Sequence, residues 1–89
     1  MMFSVLLHPD VVEFLDNLPK KEQEKCVESL RMLKEDPFTP RPKADIKKLK
    51  GRDKAMYRLR IGDYRFEYFV EEKTIYVVEA FRRGRGYRK

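Results

Sequence analysis

Cysteine and histidine are nearly missing from this chain, whose 89 residues hold one of each, Cys26 and His8. A single thiol cannot form an intramolecular disulfide. A zinc site would need at least two carboxylates beside that pair, and no acidic residues have the spacing to supply them. No metal and no cofactor is expected. Cys26 stands at helical spacing among apolar residues and reads as a small buried hydrophobe. His8 precedes Pro9 at a strand-to-helix junction and reads as the residue that opens a helix, not as a catalyst. Long apolar runs are missing too. The apolar stretch Phe3–Leu7 has no basic region ahead of it and reaches His8 within five residues, unlike a signal peptide. Nothing approaches the roughly 20 apolar residues of a membrane span. A soluble, cytoplasmic protein with no membrane partner is expected.

Charge, by contrast, is abundant. Charged residues make up 40% of the chain against about 25% in ordinary domains. The net charge is +6, and its placement is uneven: residues 1–40 carry −3, 41–65 carry +7, 66–81 carry −3 and 82–89 carry +5. Two basic stretches favour a local polyanion site over a uniformly basic surface. The length allows one domain, residues 1–89, with a basic C-terminal tail at 83–89. So short a chain buries about 60–65% of its unfolded surface, and a partner that binds the folded state would stabilise it.

The patterning predicts an α+β fold in the order β-α-α-β-β-β, an N-terminal helical hairpin packed on an antiparallel sheet. Phe3–Leu7 reads as a strand that the N-terminal position leaves free to join the sheet. Pro9 suits a first helical turn, and Val11, Val12, Leu15 and Leu18 give that helix an apolar face. Pro19 separates it from a second helix, where Gln23, Cys26, Val27, Leu30 and Leu33 recur at three and four residues; it stops before Pro37. Residues 37–45, with three prolines, read as an extended surface loop. From Lys47 the period falls to two. Met56–Ile61 and Tyr64–Val70 flank a two-residue turn at Gly62-Asp63, and Thr74–Arg82 follows a turn at Glu71–Lys73.

Hairpin geometry then assigns the faces. The first turn pairs 61 with 64, 60 with 65 and 58 with 67; a turn centred near Glu72 pairs 65 with 79, 67 with 77 and 69 with 75. One face collects Tyr57, Leu59, Ile61, Tyr64, Phe66, Tyr68, Val70, Tyr76, Val78 and Ala80, all uncharged, and reads as the core. The other collects Met56, Arg58, Arg60, Arg65, Glu67, Phe69, Ile75, Val77, Glu79 and Phe81. Arg60 and Arg65 oppose each other directly, an unfavourable pairing in isolation. The same parity adds Arg83 and Arg85, with Phe81 and Tyr87 close by. Glu67 and Glu79 could neutralise Arg58 and Arg65, giving an ordinary salt-bridged face. Against this, five arginines meet two glutamates, and a planar fork of donors is the group that grips phosphate at two points. Aromatics beside a basic groove point to RNA or single strands.

The runs Leu49-Lys50-Gly51, Tyr57-Arg58-Leu59-Arg60-Ile61-Gly62-Asp63-Tyr64-Arg65-Phe66-Glu67-Tyr68 and Arg82-Arg83-Gly84-Arg85-Gly86-Tyr87 resemble the RelE/ParE toxin superfamily, and most closely the archaeal-type RelE proteins. The likeness covers nearly the whole chain. It implies the toxin of a type II toxin–antitoxin system, a metal-independent endoribonuclease that cuts mRNA in the ribosomal A site and so inhibits translation. The ribose 2′-OH attacks the adjacent phosphate, so the protein supplies no nucleophile. By this resemblance Arg65 is the phosphate contact, and Arg83 assists the leaving group and stabilises charge. Tyr87 lies near the family's C-terminal tyrosine, at shorter spacing.

Arg58 and Arg60 stand where some relatives have lysines. Arginine is no general base near neutral pH, so these residues are left to bind phosphate and lower the 2′-OH pKa electrostatically. The base would be water, rRNA, Glu67 or Glu79, or there would be none. The candidate catalytic set is thus Arg58, Arg65, Arg83, Arg85 and Tyr87. Arg60, Lys47, Lys48, Lys50 and Phe81 are candidate substrate contacts. The resemblance also implies a cognate antitoxin, in a heterodimer or a dimer of heterodimers, and the ribosome as partners. Two alternatives use the same fold: a ParE-like poison of a type II topoisomerase, and a non-catalytic RNA-binding module.

Overall fold

The computed structural model describes residues 2–84. They form β1 (Ser4–Leu7), α1 (Pro9–Asp16), α2 (Lys20–Met32), β2 (Asp45–Lys48), β3 (Tyr57–Ile61), β4 (Tyr64–Glu71) and β5 (Thr74–Arg82). One sheet contains all five strands in the order β1-β5-β4-β3-β2. The α+β architecture agrees with the sequence reading, and α1 and α2 pack on the sheet against β5 and β3 respectively.

Two features extend the expected order. Asp45–Lys48 is a strand, β2, antiparallel to β3; Ile46, its one apolar residue, is buried against the core. Four residues with one hydrophobe carry too little periodicity to announce a strand. Second, β1 runs parallel to β5, so the sheet is mixed and not wholly antiparallel. No short hairpin links these two strands, so local geometry does not dictate their direction. Backbone bonds do: Ser4 N donates to the Lys73 carbonyl at 2.8 Å and His8 N to that of Val77 at 2.9 Å.

His8 opens α1 as expected, its Nδ1 accepting from Asp10 N at 3.0 Å, with Pro9 at the first helical position. The inward stripe differs slightly from the reading: Val12 and Val27 are exposed. Phe14 fills the gap, its ring edge-on to Tyr64 and Phe66 at 5.9 and 6.0 Å. The segment between α2 and β2 is also more than a surface loop. Pro37 is buried and its carbonyl accepts from the Tyr68 hydroxyl at 2.7 Å. Arg41 donates to the carbonyls of Met32, Asp36 and Thr39, stapling the segment to the end of α2.

Cys26 is fully buried, and burial is the main cause that pushes its thiol up to about 11. The thiolate is the reacting form. We expect iodoacetamide at pH 7.5 to leave native protein unlabelled over hours and to label it within minutes in guanidinium chloride; rapid native labelling would show that α2 opens readily.

The β4–β5 ladder corrects the expected register. Glu72 adopts φ 56°, and a tight turn pairs Glu71 with Thr74. The ladder then runs Phe69 with Tyr76 and Tyr68 with Val77, but Glu67 with Glu79. Val78 is therefore an extra residue, a β-bulge. The consequence is a change of face along β5. Ile75 and Val77, expected outside, are core residues; Tyr76 and Val78, expected inside, are not. Tyr76 stacks on Phe69 instead, ring centroids 5.0 Å apart. Past the bulge, Ala80 packs on the core while Glu79 and Phe81 share the register positions of Glu67 and Arg65. Met56, also expected outside, is buried.

Candidate active site

The face turned away from the helices is assembled from β2 to β5. The Gly62 turn (φ 58°) sets the register, pairing Arg60 with Arg65 and Arg58 with Glu67. On the next strands, Asp45 opposes Arg60, Lys47 opposes Arg58, and Phe81 opposes Arg65. A cleft of about 450 Å³ opens here, lined by Leu49, Arg52, Arg58, Arg65, Glu67, Glu79 and Phe81. That volume lies within the usual range for ligand sites. The bulge matters to it, because it brings Glu79 and Phe81 out to this face after Ile75 and Val77 have pointed inward.

Arg65 is the most constrained of these groups. Its Nη1 donates to the Gly62 carbonyl at 2.9 Å and to that of Tyr64 at 3.3 Å. Burial holds its pKa below the usual arginine value, and the cations Arg60, Arg58 and Arg83 add to the effect; Asp63 opposes it. Its charge is crowded by three others and would be relieved by an anion.

Neutralisation of Arg58 and Arg65 by the two glutamates was the alternative to a phosphate site, and Glu67 turns to another cation. It contacts Arg52 at 3.4 Å. Asp45 takes Arg60 through Nε at 3.0 Å and reaches Arg58 Nη2 at 3.7 Å. Arg58 Nε is buried and makes no hydrogen bond among the described residues. The Asp45 contact also turns Arg60 toward a second cleft, beside Lys25 and Lys43 on the α2 side. Arg60 therefore does not line the cleft of Arg58 and Arg65, although it stands directly across the ladder from Arg65.

The remaining candidates scatter. Arg83 N donates to the Asp63 carbonyl at 2.6 Å, which extends the β5 line past its end and sets Arg83 near Arg65. Its guanidinium lies 3.9 Å from the Asp63 carboxylate, an exposed pair of small energetic weight. Lys47 is exposed on the cleft face, Lys48 pairs with Tyr57 on the opposite face, and Lys50 sits in the bend after β2. Arg85 and Tyr87 lie outside the described residues. Sequence reasoning passed over Arg52 and Asp45. Both belong to the basic stretch 41–65, but only cross-strand neighbours reveal what each one faces.

Comparison with known proteins follows the same line. The family model for phage derived protein Gp49-like (DUF891) matches residues 13–86. RelE1 of Methanocaldococcus jannaschii, a protein whose name designates it a toxin, is 38% identical over 99% of this chain and 98% of its own length. The archaeal RelE–RelB complex from Pyrococcus horikoshii contains a chain 37% identical, with TM-score 0.81 over 97% of this chain and 100% of that one. The RelB–RelE antitoxin–toxin complex from Methanococcus jannaschii gives 25% identity and TM-score 0.69 over 86% and 88% of the two chains. The YoeB dimer from Staphylococcus aureus, 18% identical with TM-score 0.68 over 88% and 93%, shares the fold. With a family match across most of its length and a close curated relative of the same size, the chain belongs to the Gp49-like, RelE-type toxin family.

Proposed function

We propose that this chain is the toxin of a toxin–antitoxin pair and a ribosome-dependent mRNA endoribonuclease. One observation carries the reading: Arg65 is pinned to the hairpin turn, crowded by Arg58, Arg60 and Arg83, and opens on a cleft beside Phe81. A phosphodiester in the cleft would relieve that repulsion, and Phe81 offers a ring on which a base can stack. The 2′-oxygen bonds to the adjacent phosphorus as the P–O5′ bond breaks. Arg65 and Arg58 hold the non-bridging oxygens, whose charge grows in the transition state. Arg83 stabilises the departing 5′-oxygen, which takes up a proton from water. Glu67 and Glu79, which line the cleft, water and rRNA are the candidate acceptors of the 2′-proton. Arg85 and Tyr87 of the basic tail complete the catalytic set.

Two neighbours in structure are RelE–RelB complexes, one of them an antitoxin–toxin complex, which supports a cognate antitoxin here. That partner would set acidic residues against the arginine face or displace the basic tail. The cytoplasm, where ribosomes lie, is the corresponding location. No helix among the described residues is long and apolar enough to cross a membrane. The test is a purified translation system with mapping of mRNA ends. Cleavage within A-site codons is expected, with a 2′,3′-cyclic phosphate or 3′-phosphate on the upstream fragment. Plain 3′-hydroxyl ends would rule out 2′-OH attack. Intact translation with blocked DNA supercoiling would transfer the chain to topoisomerase poisoning.

A further inference from the structure

The loop from Leu49 to Met56 folds back over the outer face of the sheet. Its ends meet through Leu49 N donating to the Met56 carbonyl at 2.8 Å. Two cations tie it to β4. Lys54 Nζ lies 4.0 Å from the centre of the Phe69 ring and 3.7 Å from Glu71. Arg52 Nη1 lies 3.4 Å from Glu67 Oε1, and Arg52 lines the same cleft as Arg58 and Arg65.

We propose that Arg52 is a substrate-binding residue, which exchanges Glu67 for a backbone phosphate of the RNA strand entering that cleft. The inference rests on the RNA-cleaving reading and adds to it a phosphate contact delivered by the β2–β3 loop. The Glu67 contact is long and one-pointed, at the weak end of hydrogen-bond geometry. Arg52 is 41% exposed while Glu67 is 14% exposed, so the open side of the pair is the guanidinium. Its other N–H groups remain available to an oxygen pair. A phosphate offers two acceptors in the fork geometry that the present contact lacks. The two-point, charge-assisted contact with phosphate offsets the loss of the single 3.4 Å contact to Glu67.

The probe is a fluorescent 2′-O-methyl RNA hexanucleotide, which binds without being cut, together with versions in which one linkage at a time is an uncharged methylphosphonate. Arg52→Gln should weaken binding of the all-phosphate probe about five- to tenfold and lower the salt slope by about 0.7. At one methylphosphonate position that loss should vanish. Glu67→Gln should tighten binding, whereas a purely structural clasp between the two would make both variants weaker alike. A loss of equal size at every linkage would reduce Arg52 to diffuse charge and overturn the inference. Arg65→Gln distinguishes the two levels of the argument. If it too is insensitive to every linkage, the cleft is not the RNA site and the functional reading falls. If it finds its linkage and Arg52→Gln does not, the reading stands and only the Arg52 inference fails. Thermal unfolding of each variant confirms that the folded protein is compared.

Discussion

Replacing Arg65 by alanine should lower mRNA cleavage by at least about 10²–10³, the usual cost of one charge-stabilising donor, while leaving the fold almost as stable as before. The two effects separate because Arg65 is on the face away from the helices. It contributes two hydrogen bonds to turn carbonyls, worth about 0.5–1.5 kcal/mol each at most. Against that loss, the change removes repulsion from Arg60, Arg58 and Arg83, a cross-strand penalty of similar order. Arg65→Lys refines the result, since it keeps the charge and loses the fork; it should retain partial activity. Growth assays, translation inhibition and circular dichroism decide the matter. An unfolded Arg65→Ala protein would mean that this residue belongs to the core, and full activity would remove it from the site.

The largest stability effect should come from Tyr68. It is fully buried on β4 beside the bulge, its ring stacks on Tyr57 at 5.7 Å, and its hydroxyl donates to the buried Pro37 carbonyl. Tyr68→Ala should cost about 3–5 kcal/mol for the ring alone, a large share of the total stability of so small a domain. We expect a chain that is largely unfolded at 37 °C. Tyr68→Phe keeps the ring and orphans one carbonyl, for about 1–2 kcal/mol, or roughly 4–8 °C in Tm per kcal/mol. A Phe variant as stable as the parent would show that the hydroxyl does not anchor the segment after α2. Neither variant removes a cleft residue, so activity per folded molecule should survive Tyr68→Phe.

Much of this architecture was legible in the chain itself. The two helices follow from Pro9, Pro19 and the recurrence of Val11, Leu15, Cys26 and Leu30. The register of β3 on β4 follows from a glycine that takes the left-handed turn at position 62 without steric cost, and with it the opposition of Arg60 and Arg65. These are local constraints, satisfied within a few residues. Elsewhere the pattern was ambiguous. Thr74–Arg82 is apolar at both parities over Ile75–Val78, so periodicity could not say which side faced the helices.

Only the tertiary structure decided three things. The bulge at Val78 buries Ile75 and Val77, then turns Glu79 and Phe81 outward, because the core demands one parity and the cleft the other. Asp45, on a strand with one hydrophobe, draws Arg60 away from the cleft that Arg58 and Arg65 share. Arg52, on an irregular loop, comes to rest over β4 because Glu67 waits there, fifteen positions further along the chain. Period and turn chemistry act along the backbone and can be read from it. An ion pair depends on what the neighbouring strand presents across the sheet, and that is known only once the strands have been laid side by side.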